Sequence, residues 1–329
     1  MPLDLDHFDF RDLHPAVAIG TAGDRYAGWL GQIYSPGRYA ANITRRAKTV
    51  GGRRFTEEVL PVESVEEYFR HFRILEIDFT FYAPLLDKAG EATRNFHALR
   101  AYGKHLKADD RFILKVPQVV FARKLFRGGA FVENPLYLDP ETFTRQFYEP
   151  AVQLLGDRIG GLVFEQEYQR KNERIPVAEL ASELDAFFST VPGDGRYHME
   201  LRTDAFLKAP LFHVLERHGV GQVLSHWTWL PPLSRQFALS GGRTLNREKH
   251  TIIRLMTPRG VRYEDAYAKA HPFNRMVDGM MNPSMVSETA ALMHELIEKG
   301  GKPRVIVNNR AGGNAPLIAK QIVMRFLRG

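Results

Sequence analysis

The stretch VIVNNRAGGNAPLIAKQI, residues 305–322, passes from one kind of structure to another. A short β-branched run ends in Asn308 and Asn309, Gly312 and Gly313 follow, and an amphipathic pattern then begins. Branched side chains suit a pleated strand, and paired glycines suit a tight turn. Asn314 is placed to cap a helix with Pro316 just inside it, and Ile318, Ile322 and Phe326 repeat at i, i+4, i+8. A strand that turns at once into a helix is one unit of an α/β fold.

Working outward, seven more β-rich runs appear: AVAIGT (16–21), ILEIDF (74–79), RFILKV (111–116), GLVFEQ (161–166), YHMELR (197–202), VGQVLS (220–225) and TIIRLM (251–256). With RVIVNN (304–309) they make eight. Helical spacing lies between several of them. Val177, Leu180, Leu184, Phe187 and Phe188 follow Pro176, and Phe96, Leu99 and Leu106 form a less regular stripe. Eight strands alternating with helices predict an α/β fold, a TIM-like (β/α)8 barrel, with an open doubly wound sheet as the competitor. No repeat or linker divides the chain, so residues 1–329 are expected to form one barrel domain. Long segments at about 23–62, 117–139 and 257–283 follow the first, third and seventh strands. They leave from the C-terminal ends of strands, the face that carries function in barrels.

Composition agrees. A 44% hydrophobic content suffices for a large core, and no apolar run approaches the roughly 20 residues that span a bilayer. The opening MPLDLDHFDF lacks the basic-then-apolar order of a secretory signal, so a cytoplasmic protein with no membrane partner is expected. The absence of cysteine excludes disulfides and thiolate metal ligation. A net charge of +7 favours phosphate-bearing partners, nucleic acid among them.

IGTAG (19–23), YFRHFRILEIDFTFY (68–82), RFILKV, MELR (199–202), IIRL (252–255) and VNNRAGG (307–313) resemble, in order, the signature blocks of the YecE-like family. The resemblance runs from about residue 17 to 326 and implies a barrel with a pocket at the strand ends; it brings no established reaction. Two blocks depart from the pattern. GDRY (23–26), with Trp29 nearby, stands where that family has a tryptophan-containing turn, and FEQEY (164–168) replaces its glutamine-phenylalanine-proline run.

Alternation places several polar residues inside the barrel. If Leu75, Ile77 and Phe79 face the helices, Glu76 and Asp78 face the axis. If Tyr197, Met199 and Leu201 face outward, His198, Glu200 and Arg202 face in. The same reasoning brings in Lys115, Glu165 or Glu167, Arg254 and Asn308. Barrel interiors are normally branched apolar layers, and buried ions are costly unless paired. The ring is therefore either a structural salt-bridge network or the floor of a ligand pocket. Five acids (Glu76, Asp78, Glu165, Glu167, Glu200) against three bases (Lys115, Arg202, Arg254) leave two negative charges over. A protonated carboxyl, a solvent-facing one or a divalent cation would resolve the excess. For a cation, His226 could join Glu200 and Asp78 around Mg²⁺, Mn²⁺ or Zn²⁺.

The loops add candidates. Gly312 and Gly313 at a helix N-terminus, with Asn308 and Asn309, predict an anion-binding turn, unless the glycines only permit the turn and Asn314 only caps. The segment GRYAANITRRAKTVGGRRF (37–55) holds Arg38, Arg45, Arg46, Lys48, Arg53 and Arg54 and no acid, with Tyr39 and Phe55 available for stacking. Five methionines in 273–297 suggest helix packing or an adaptable lid. The leading expectation is a barrel that binds a phosphorylated, sugar-like or nucleotide ligand at its mouth. Glu76, Asp78, Glu165, Glu200 and Arg202 would be its catalytic groups, and Lys115, Arg254, Asn308, Asn309, Gly312 and Gly313 its binding groups, in a hydrolase or isomerase. A glycosidase of the common barrel kind would want a carboxylate where Arg254 stands. The alternatives are a non-catalytic nucleic-acid-binding barrel using the basic segment and a scaffold with purely structural charges.

Overall fold

The computed structural model describes residues 3–329. Eight parallel strands close on themselves: β1 (Ala18–Ala22), β2 (Ile74–Ile77), β3 (Arg111–Lys115), β4 (Ile159–Glu165), β5 (Tyr197–Glu200), β6 (Gly221–His226), β7 (His250–Leu255) and β8 (Lys302–Val307). Each strand pairs with its neighbours in chain order, and β1 pairs with β8 from Ala18↔Arg304 to Thr21↔Val307. That last pairing makes a (β/α)8 barrel and removes the open sheet from contention. Among the described residues no helix is long and apolar enough to cross a membrane.

The strands alternate as their sequences require. Ile74, Ile113, Val163, Val223, Ile252 and Ile306 meet along the axis as a closed apolar plug. Residues of opposite parity, such as Leu75, Leu114, Phe164 and Met199, pack outward beneath the helices. The helix Ala315–Leu327 buries Ile318, Ile322 and Phe326 against that layer, and Asn314 caps it by accepting from Leu317 N at 2.9 Å. Polar side chains are thereby confined to the two poles of the barrel, above and below the plug.

The three long segments rise from the C-terminal pole. The first folds into a hairpin, Thr44–Val50 with Arg53–Val59; the second carries a smaller one, Lys124–Arg127 with Ala130–Glu133. The third forms the helix Tyr263–Ala270 and a segment that lies over the β8 turn. Its methionines pack: Met280, Met285 and Met293 are buried, and Met276 and Met281 lean on the core.

This covering segment decides the double glycine. Val277 N donates to Gly312 O at 2.9 Å, and a Cβ on Gly312 would sit 2.9 Å from Met281 Cβ. Gly313 has φ +112°, and a Cβ there would fall 2.4 Å from Arg275 O. The glycines admit a neighbouring backbone that lies over the turn. Gly313→Ala should cost at least about 1–3 kcal/mol, since it combines overpacking with a strained φ; a urea unfolding curve that matches wild type would refute that reading.

Candidate functional site

The charged ring is present above the plug and is centred on Arg254 of β7, which is fully buried. Its guanidinium meets Glu76 Oε1 at 2.7 Å, Glu165 Oε2 at 3.3 Å and Glu200 Oε2. Lys115 lies 2.7 Å from Asp78, 3.3 Å from Glu165 and 3.7 Å from Glu76. Arg202 bridges Glu165 at 2.7 Å and Glu200 at 3.1 Å and lies over the Trp227 ring. Ser225 Oγ donates to Glu200 Oε1 at 2.6 Å. Strands two, three, four, five and seven thus converge on one network, as alternation predicts.

The network has two regions. Glu165 and Glu200 are saturated by cations. Burial pushes Glu165 up, but Arg202, Lys115 and Arg254 outweigh it and hold the carboxylate well below its usual range. Glu76 differs. It is completely buried, its Oε2 has no hydrogen-bond partner, and burial raises its pKa despite Arg254 and Lys115. Asp78, one turn of the alternation higher and half-exposed, is held low because Lys115 outweighs its burial. Two carboxyls of β2 and its end are therefore driven in opposite directions.

Asp78 and the buried Glu76 belong to the lining of a cleft of about 780 Å³, which Lys115, Glu165, Glu200, Arg202 and Arg254 do not line. Asp24 and Tyr26 form one side of it, following β1, and Asn308, Asn309 and Arg310 form another, following β8. Lys48 and Glu57 of the first hairpin and Tyr263 and Tyr267 of the third segment close it. These walls hold each other: Glu57 Oε1 accepts from Tyr267 Oη at 2.7 Å and from Lys48 Nζ at 2.8 Å. Asp24 is buried; its Oδ1 accepts from Tyr102 Oη at 2.9 Å while Oδ2 has no partner. Burial, opposed by Arg25 and the Tyr102 bond, pushes Asp24 up to about 6.

Several expectations are corrected by this geometry. Glu167 lies beyond the end of β4 and outside the ring, so four carboxylates face three cations and the excess is one negative charge. His198 does face the axis, but with its Nδ1 on Arg196 O at 2.8 Å, and burial lowers it to about 4. His226 Nδ1 donates to Thr257 O at 3.0 Å and is not gathered with Glu200 and Asp78; among the described residues no three His, Asp or Glu side chains are grouped to hold a metal ion. Gly312 and Gly313 lie outside the cleft lining. Asn308 and Asn309 line it, with Asn308 Oδ1 spent on Arg310 N at 3.0 Å.

The basic segment is also less free than its composition suggests. Across the hairpin Arg45 pairs with Glu58, and Arg46 and Lys48 with Glu57, acids that lie just past the all-basic stretch. Tyr39 is buried, and Phe55 packs on Tyr267 and His271, so neither ring is open to a base. Asp24, Arg310 and the tyrosines of the cleft were not singled out by sequence. They stand on loops without periodicity, and only the glycine just before Asp24 hinted at a functional turn.

The molecule is thus a parallel (β/α)8 barrel with an ion-paired pole and an open cleft beside it. A family model described as "Protein of unknown function DUF72" matches residues 18–328, and the chain belongs to that family, which is the YecE-like family its sequence blocks resemble. Two solved DUF72 family proteins share the fold. One, from Thermotoga maritima, is 16% identical over 95% of this chain and 99% of its own, with TM-score 0.56. Another, from Enterococcus faecalis, is 13% identical over 94% and 95%, with TM-score 0.57. None of the curated proteins matches this chain.

Two measurements test the electrostatics. Arg254→Met takes a shared cation from three buried carboxylates, leaving Glu76 with only Lys115 at 3.7 Å, and should lower unfolding free energy by about 3–5 kcal/mol; a milder loss in urea would mean that the ring is hydrated. Asp24 has a folded pKa above its ordinary value, so its contribution is full below about pH 4 and lost as pH rises through about 6. Asp24→Asn should therefore flatten the fall in stability from pH 4 to 7 by up to about 3 kcal/mol, read from melting curves of both proteins across that range.

Proposed function

We propose that the cleft binds a small phosphorylated or sugar-like ligand and that Glu76 exchanges a proton with it, in a hydrolase or isomerase reaction. The observation that carries this reading is the unpartnered Oε2 of a fully buried Glu76 on the cleft floor, in a ring with one carboxylate too many. A structural network gains nothing from that oxygen. Leaving a buried acceptor unmatched costs about 1–3 kcal/mol, a loss that a ligand hydroxyl would reverse.

The chemistry follows from the divided environments. A carboxyl whose pKa is raised holds its proton more readily and can donate it; one held low stays ionised and can accept. Glu76 and Asp78 are such a pair on one strand and its end, with Lys115 close to both. Lys115 also supplies positive charge beside any oxyanion that forms above them. Arg254 and Lys115 hold this pair by ion pairing, and Glu165, Glu200 and Arg202 hold those cations in turn. The nucleic-acid reading fits less well, because the first hairpin neutralises Arg45, Arg46 and Lys48 within itself.

A melting-temperature screen with sugar phosphates, nucleoside monophosphates and free sugars should show stabilisation by the phosphorylated members, since a ligand of the native state raises stability by mass action. For the compound so found, Glu76→Gln should fold and bind as wild type does and lose about 10²–10⁴-fold in turnover. The amide keeps an oxygen for Arg254 and removes the exchangeable carboxyl proton. A variant that turns over normally would eliminate Glu76 as the acid–base group.

A further inference from the structure

The cleft has a donor-rich end that the acid–base chemistry does not use. Asn309 is 2% exposed, and its Oδ1 accepts from Trp29 Nε1 at 3.2 Å and from Ala315 N at 2.7 Å. Two donors on one atom fix which end of the amide is oxygen. The Nδ2 is then a true N–H₂ group, buried and without an acceptor. Beside it Arg310 lies over the Tyr263 ring at 4.3 Å. Its buried Nε has no partner, and it is in none of the ion pairs formed among the described residues. Arg94, at the start of the helix Arg94–Gly103, lines the same cleft and is exposed to it.

Elsewhere in this protein buried or half-buried guanidinium groups find an acceptor: Arg254 and Arg202 in the ring, Arg11 on Asp110 and Arg196 on Asp194 meet carboxylates, Arg25, Arg111 and Arg158 meet backbone carbonyls, and Arg304 meets a ring nitrogen of His250. Arg310 is an exception, and it is held flat and pre-oriented by the ring beneath it. Asp78, an acid within electrostatic reach of Arg310, is already taken by Lys115 at 2.7 Å. A planar fork of donors and a neutral amide with two more form a seat for an anion with several oxygens.

We infer that Arg310 and Asn309 bind the phosphoryl group of the ligand, with Arg94 closing on it from the rim. The inference rests on the proposed ligand cleft and adds its polarity: the phosphoryl end lies against the β8 turn and the reacting end over Glu76. Specificity follows. Unphosphorylated analogues leave Asn309 and Arg310 unmatched and bind far more weakly.

Inorganic phosphate is the probe, titrated by ³¹P NMR and by melting temperature against chloride of equal ionic strength. Wild type should be stabilised by phosphate beyond chloride. Arg310→Met should keep its melting temperature in chloride and lose at least tenfold in phosphate affinity, and Arg94→Gln should lose several-fold. Glu76→Gln should keep phosphate affinity, which separates failure of this seat from failure of the acid–base reading. If Arg310→Met does not fold, Arg310→Lys decides, because it keeps the charge and loses the fork. Undiminished phosphate binding in whichever Arg310 variant folds, or no phosphate response in wild type, overturns the assignment.

Discussion

A single guanidinium organises the C-terminal half of this barrel. Arg254 is fully buried on β7 and reaches carboxylates from β2, β4 and β5. An ion in that position is tolerable only because three partners surround it, and they in turn are tolerable only because Lys115 and Arg202 share them. Apolar layers would fill the same volume at no electrostatic cost. What the ions add is direction: they fix carboxyl oxygens from separate strands to within hydrogen-bonding precision, which branched side chains do not do.

The excess of one carboxylate is what the proposed site rests on. Had a fourth cation met Glu76, every oxygen would be satisfied and the ring would be sealed. Instead the deficiency lies at the edge that faces the cleft. Asp24 repeats the pattern one strand away, with one oxygen on Tyr102 and the other unmatched. The β1–β2 register pairs Ala22 with Glu76, so Asp24 and Asp78 each stand two residues further along adjacent strands. The unmatched carboxyl oxygens of the pole are thus gathered on two neighbouring strand ends, while the carboxylates of β4 and β5 are paired.

The barrel and most of the ring were legible because both follow the two-residue period of a strand. Glu76, Glu200 and Arg254 could be turned inward from sequence by their apolar neighbours alone. That logic fails where the strand stops: Glu165 is the last residue of β4, and Glu167, two further, no longer obeys the alternation. Gly312 and Gly313 were misread for a different reason. A turn that admits a close approach looks the same whether the visitor is an anion or another loop, and the visitor here comes from residues 275–281, contributed by a distant part of the chain. The basic hairpin shows the cost of stopping a window too early, since the register places Glu57 opposite Arg46 and Glu58 opposite Arg45. Asp24 and Arg310 carry no periodic signal; only burial without a partner reveals them.

The two long segments that wall the cleft explain why its geometry can be used as found. Glu57 is shared by Lys48, Arg46 and Tyr267, which ties the hairpin after β1 to the helix after β7. Phe55, Tyr267, His271 and Phe273 pack in a continuous aromatic cluster behind that tie. Segments that leave from opposite ends of the sequence therefore act as one wall, braced on the barrel by Trp29 and Asn309. Asn309 sits at the junction of brace and cleft. Its oxygen is committed to the fold, and its buried nitrogen is left without an acceptor in a residue that lines the cleft. A ligand that accepts from Asn309 would stiffen the brace through the same amide, and binding and wall stability are coupled by that one side chain.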